Sequence, residues 1–146
     1  MVLKRGLAVV ALCLATATSV VSAESQSENR EATMKKIGGA MGALAAIAKG
    51  EKPYDAEVVK TSLGTIGETI KVFPTYFPVG SENDDKGASP KIWENKADFE
   101  AKAAKLSADA GELLAQLPAD QAAVGAALQT LGKDCSGCHE SYRIKK

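Results

Sequence analysis

Two cysteines separated by two residues and followed at once by a histidine, Cys135-Ser136-Gly137-Cys138-His139, are the residues of this chain best suited to chemistry. Thiols at this spacing can both form thioether bonds to a haem while the adjacent imidazole binds the iron, so the pentad reads as an attachment site for c-type haem. Other chemistries of the same residue types fit less well. A structural zinc site needs four ligands, usually including a second Cys or His pair, and His139 is the only histidine in the chain. A thioredoxin-like redox pair belongs where a strand enters a helix in a βαβ pattern, whereas this motif lies late in a helical pattern with no strand signal nearby.

Four amphipathic segments must position the pentad. The first is expected over about 27–49, with Met34, Ile37, Met41 and Leu44 recurring every three or four residues, Gly50 at its end and Pro53 shortly after. Gly38, Gly39 and Gly42 are costly inside it, about 1 kcal/mol each relative to Ala, and imply either close approach by a flat cofactor or a neighbouring helix, or a flexible, kinked helix. Asp55 can cap a second helix reaching Phe73, whose apolar face is Val59, Leu63, Ile66, Ile70 and Phe73, with Pro74 as the stop. The stretch 75–88 reads as a loop with a solvated polar run, Ser81 to Asp85, whose acids do not match an EF-hand spacing. Ser89-Pro90 opens a short turn through Trp93.

A third long helix spans about 96–117, with Phe99, Ala103, Leu106, Ala110 and Leu113 on one face, and Pro118 marks its break. Asp120 can cap the fourth, in which Val124, Leu128, Leu131, Cys135, Cys138 and Tyr142 keep the four-three rhythm. Both thiols thus face inward, with His139 beside them. Four such helices with mostly short connections predict an all-α fold, an antiparallel up-down-up-down four-helix bundle. In that topology the first and fourth helices are adjacent and antiparallel. Met34, near the start of one, then neighbours His139, near the end of the other, and can address the opposite face of the haem.

The first 23 residues have the form of a secretory signal peptide: a charged start with Lys4 and Arg5, an apolar run from Leu7 to about Thr18, and small residues at Val21-Ser22-Ala23. The apolar run is short for a membrane span of about 20 residues, so no stable membrane association is expected. Residues 24–146 then form one haem-binding domain, large enough for a real core. Cys13 falls in the leader, which leaves the motif pair and no disulfide framework. Without the leader the chain carries a net charge near −2, and nothing in it points to nucleic acid. Haem attachment after export places the protein in the periplasm.

A haem motif at the C-terminal end of an exported four-helix chain resembles the class II c-type cytochromes, the family of cytochrome c′ and the low-spin cytochrome c-556. Tyr142-Arg143 after the histidine, Lys49-Gly50-Glu51-Lys52-Pro53-Tyr54-Asp55 between the first two helices and Pro90-Lys91-Ile92-Trp93 before the third add to the resemblance. It covers essentially all of residues 24–146, and the last two stretches look more like the c-556 branch.

The resemblance implies one covalently bound haem c with its iron, Cys135 and Cys138 as thioether sites, His139 as proximal ligand and Arg143 as the basic residue near that ligand. It places Met34 over the distal face, as an iron ligand in the c-556 manner or as a packed residue over an open iron in the cytochrome c′ manner. The first case implies an electron carrier, because Met/His ligation raises the reduction potential and suits one-electron transfer. The second implies binding of nitric oxide or carbon monoxide. A methionine on an apolar stripe is in general more often core than ligand, and Met41 exemplifies that. No enzymatic role is expected, since no second histidine exists to act as a distal acid or base. Expected partners are redox proteins, steered by a basic rim of Lys35, Lys36, Lys133, Arg143, Lys145 and Lys146, and a homodimer is the family-like assembly.

Overall fold

The computed structural model of the chain describes residues 23–144, with side chains described from Gln26 to Ile144. Residues 1–22, all of the leader but Ala23, and Lys145-Lys146 lie outside the described residues. Four long helices, α1 (Ala23–Ala48), α2 (Ala56–Val72), α4 (Lys96–Ala115) and α5 (Gln121–Tyr142), enclose the core, with a one-turn α3 (Lys91–Glu94) in the α2–α4 connection. Each long helix packs on two others, α1 on α2 and α5, and α4 on the same two. This is the antiparallel bundle expected from the periodicity.

Local chemistry sets the helix ends. Asp55 accepts hydrogen bonds from the amides of Glu57 and Val58 at 2.9 and 3.2 Å, and Asp120 accepts one from Ala123 N at 2.8 Å. α1 ends where Gly50 takes φ +74°, which lets its amide and that of Glu51 donate to the carbonyls of Ile47 and Ala46. Pro74 ends α2 without ending helical geometry, because it begins a 3-10 turn over Phe73–Tyr76 in which its missing N–H is no loss. Ser89 Oγ accepts from Lys91 N at 3.3 Å and so helps to open α3.

The core is divided along the bundle axis. Leu44, Ile47, Val59, Leu63, Ile66, Ala110, Val124 and Ala127 close the end that holds the α1–α2 connection. The other end is walled by the first half of α1, the end of α2, the first half of α4 and the last half of α5 around an internal space.

One expectation is narrowed and one needs correction. No neighbouring helix comes close to Gly38, Gly39 or Gly42, since a Cβ at any of them would meet nothing within 4 Å, and α1 passes all three unbroken, with Gly38 on the wall of the internal space. The close approach occurs instead at Gly67, where a Cβ would lie 3.5 Å from Ala110 Cβ and from Ser107 O, and Ser107 Oγ donates to Gly67 O at 2.9 Å. The run from Ser81 is also not wholly solvated, because Ser81 is only 4% exposed and bonds to α1.

Leu63, 1% exposed in the closed end, reports on the bundle apart from the site. Leu63→Ala should lower the unfolding free energy by about 2–5 kcal/mol in denaturant titrations, through lost transfer energy and a residual cavity. The absorption spectrum of the haem protein should stay unchanged; a spectral change would mean that the two ends of the core are not independent.

Candidate haem site

The internal space at the open end has a volume of about 1010 Å³. That is at the upper end of the range for cofactor sites. Its apolar walls come from all four long helices: Ile37 and Met41, Ile70 and Phe73, Phe99, Ala103 and Leu106, then Cys135 and Cys138. The four-three rhythm read from the sequence therefore serves two purposes, filling the closed end and lining the open one.

Cys135 and Cys138 are free, half-buried, and stand on one face of α5 at the wall of this space. Burial is the main cause that pushes both thiols above their ordinary pKa; the charge of Asp134 adds to it at Cys135, and Lys102 opposes it at Cys138. A redox dithiol needs the reverse, an electropositive setting that favours thiolate, so the surroundings argue against thiol–disulfide chemistry. His139 follows at the rim, exposed but still part of the cavity wall. Burial, and secondarily the charge of Arg143, hold its imidazole below the usual pKa. The neutral ring that results is the form that ligates a metal. Two thiols and a neutral imidazole on the wall of a large apolar space fit a covalently attached haem.

From α1, Met34 reaches the same space, partly buried against the core. Met34 and His139 are thus brought to one cavity, as the antiparallel pairing requires. Met41 packs against the core as expected and also lines the space, two turns deeper than Met34. The sequence reading missed Arg30, one turn before Met34. It is 2% exposed, and its guanidinium donates to Tyr76 O at 2.8 Å and to Ser81 Oγ at 2.6 Å. It also stacks over the Phe77 ring, 4.2 Å from the centroid, while lining the cavity. Burial lowers its pKa, against the opposing charges of Asp85, Asp84 and Glu82. The signal was present: Arg30 continues the stripe Met34, Ile37, Met41, Leu44 by one more step of four. A basic residue in a stripe position has to find buried partners, and this one finds them on the connection after α2.

The C-terminal end of the motif is tied down by backbone. Ser89 N donates to Tyr142 O and Ile144 N to Gly87 O, both at 2.9 Å, pairing Ala88 with Arg143 in an isolated antiparallel bridge. Arg143 caps α5 in extended conformation, its amide donating to His139 O at 3.1 Å, and its exposed side chain borders the cavity. Tyr142 points inward, 6% exposed, packs edge-on against Phe99 and donates its hydroxyl to Asp98 Oδ2. Of the basic rim, Lys35, Lys36, Lys133 and Arg143 are exposed, Lys35 in an ion pair with Glu31 at 2.7 Å.

Comparison with known proteins agrees with this arrangement. The family model described as Cytochrome C′ matches residues 25–143. A cytochrome c-556 of Agrobacterium tumefaciens (strain II Chrys) is 62% identical over 119 residues, which cover 82% of this chain and 97% of that protein. A cytochrome c′ of Rhodopseudomonas palustris is 38% identical over 118 residues, covering 80% of each chain. Among solved structures, cytochrome c′ from R. palustris superposes with a TM-score of 0.78 at 36% identity, covering 83% of this chain and 97% of that one. A structure of oxidised R. palustris cytochrome c556 gives a TM-score of 0.75 at 34% identity, covering 84% and 98%.

The chain belongs to the cytochrome c′ family, which includes proteins named cytochrome c-556, and its cofactor is covalently bound haem c with iron.

The fold raises the Tyr142 phenol to about 12, chiefly through burial and then through Asp98. A group whose folded pKa lies above its unfolded value of about 10 stabilises the fold fully below that pH. Its contribution is lost as pH rises from about 10 through about 12. Unfolding free energies measured across this window should fall, and Tyr142→Phe should flatten the fall; an equal slope in both proteins would refute the assignment.

Proposed function

We propose that this protein is a periplasmic electron carrier, its haem held by thioether bonds from Cys135 and Cys138 and its iron by His139 and Met34. The observation that carries the reading is the convergence of Met34 from α1 with His139 and both thiols from α5 on one apolar cavity. Bound there, the haem supplies a one-electron ferric–ferrous couple. The chain's own groups do the rest. α5 presents the thiols on its inward face, and the imidazole of His139 at the rim offers a lone pair. Met34 supplies a soft thioether, which favours ferrous iron and raises the potential.

Supporting residues follow from the same geometry. Arg30 is a buried cation on the cavity wall, suited to meet a carboxylate of the haem. Arg143 stands on the His139 side and, with Lys35, brings positive charge to the rim, whereas Lys36 lies in a separate groove between α1 and α2 and Lys133 is not part of the cavity wall. That rim would steer an acidic redox partner. We assign residues 1–23 to an export signal, consistent with the periplasmic reading, and no helix among the described residues is long and apolar enough to cross a membrane. No catalytic turnover is assigned.

The second reading, a five-coordinate centre that takes up nitric oxide or carbon monoxide, is favoured by the likeness to cytochrome c′ structures. One residue separates the two. The ferric protein at neutral pH should show a low-spin spectrum with a methionine–iron charge-transfer band, and Met34→Ala should convert it to high spin. A high-spin wild-type spectrum with rapid carbon monoxide uptake by the reduced protein would replace the first reading with the second.

A further inference from the structure

Asp134 immediately precedes Cys135, and none of the roles above uses it. Its side chain is only 6% exposed and forms part of the cavity wall. Oδ1 receives Lys105 Nζ from α4 at 2.8 Å, while Oδ2 is buried without a hydrogen-bond partner. Lys105 is itself shared, because the same Nζ lies 2.7 Å from Asp109 Oδ2. Two carboxylates thus face one ammonium, leaving one negative charge in excess. Lys105 is 62% exposed and Asp109 21%, so the deeply buried member of the group is the one on the cavity wall.

A half-satisfied buried carboxylate is costly where it stands. Bracing α5 against α4 needs only the oxygen that meets Lys105. The second oxygen adds charge, and in a poorly screened apolar cavity that charge acts on whatever shares the space. A haem changes its charge by one unit when the iron is reduced.

We propose that Asp134 is an electrostatic tuning residue of the haem, holding the reduction potential down by stabilising the ferric state. The inference rests on the reading that the haem is held by Cys135, Cys138 and His139. Asp134 then opposes Met34: the thioether raises the potential, and the carboxylate beside the attachment motif lowers it. Lys105 sets how much of that negative charge is felt. No ligand exchange and no proton movement is involved.

The test is the midpoint potential of the haem-loaded protein at neutral pH, by spectroelectrochemistry, in wild type, Asp134→Asn and Lys105→Met. Asn keeps the shape and removes the charge, so Asp134→Asn should shift the midpoint to more positive values. Lys105→Met removes the neutralising cation and should shift it the opposite way. Opposite shifts support the proposal. An unmoved midpoint in Asp134→Asn, or shifts of the same sign in both variants, would overturn it and leave Asp134 as a brace alone. Lys105 is surface-exposed, so its variant carries the test if Asp134→Asn folds or loads poorly, and an unmoved midpoint there is equally adverse. A pyridine haemochrome spectrum of the wild type, which reports thioether-linked haem, checks the underlying attachment separately.

Discussion

Four helices must leave room for a haem at one end of the bundle, so that side chains alone fill only the other end. Protein interiors pack to the density of organic crystals, so the cofactor takes the place that side chains hold elsewhere in the core. The chain meets this constraint by dividing the work. Leu44, Ile47, Leu63, Ile66 and Val124 make a closed, well-packed end that fixes helix spacing and direction. At the other end, smaller or half-buried residues such as Ala103, Cys135 and Cys138 line the walls.

The walls of the haem end are tied together at the rim, and the ties are polar and aromatic. Arg30 joins α1 to the connection after α2, and Lys96 Nζ donates to Pro74 O and Phe77 O at 2.9 and 3.0 Å from the start of α4. Tyr142 joins α5 to α4 through Asp98, with Phe73, Phe77 and Phe99 packed edge to edge behind them. Each tie joins groups distant in sequence. Around the same cavity stand one buried guanidinium, that of Arg30, and one buried carboxylate, that of Asp134.

Legibility in the sequence followed the range of the interaction responsible. Caps at Asp55 and Asp120 and the stop at Gly50 depend on neighbours within a few residues, and they were readable with small shifts of boundary. The inward stripe was readable because a helix repeats every 3.6 residues whatever it packs against. Pro74 was read as an end where the structure continues into a 3-10 turn, since proline forbids a hydrogen bond but not the geometry. The glycines of α1 are ambiguous in the sequence for the opposite reason: their cost is local, but the reason for accepting it lies in what approaches them, which the helix alone does not contain.

By itself the sequence determined the covalent chemistry and the frame that carries it. Cys135, Cys138 and His139 lie within five positions, so one helical segment sets their relation, and the periodicities of four helices suffice for the bundle. Only the tertiary structure decided what surrounds that motif. It brought Met34 and Met41 to one cavity, buried Arg30 among carbonyls and aromatic rings from another part of the chain, and set the buried side chain of Asp134 in the cavity wall beside the motif. These outcomes depend on the rotation of each helix about its axis and on how far neighbours slide, quantities set by packing at the closed end. A residue's distance along the chain carries no record of them.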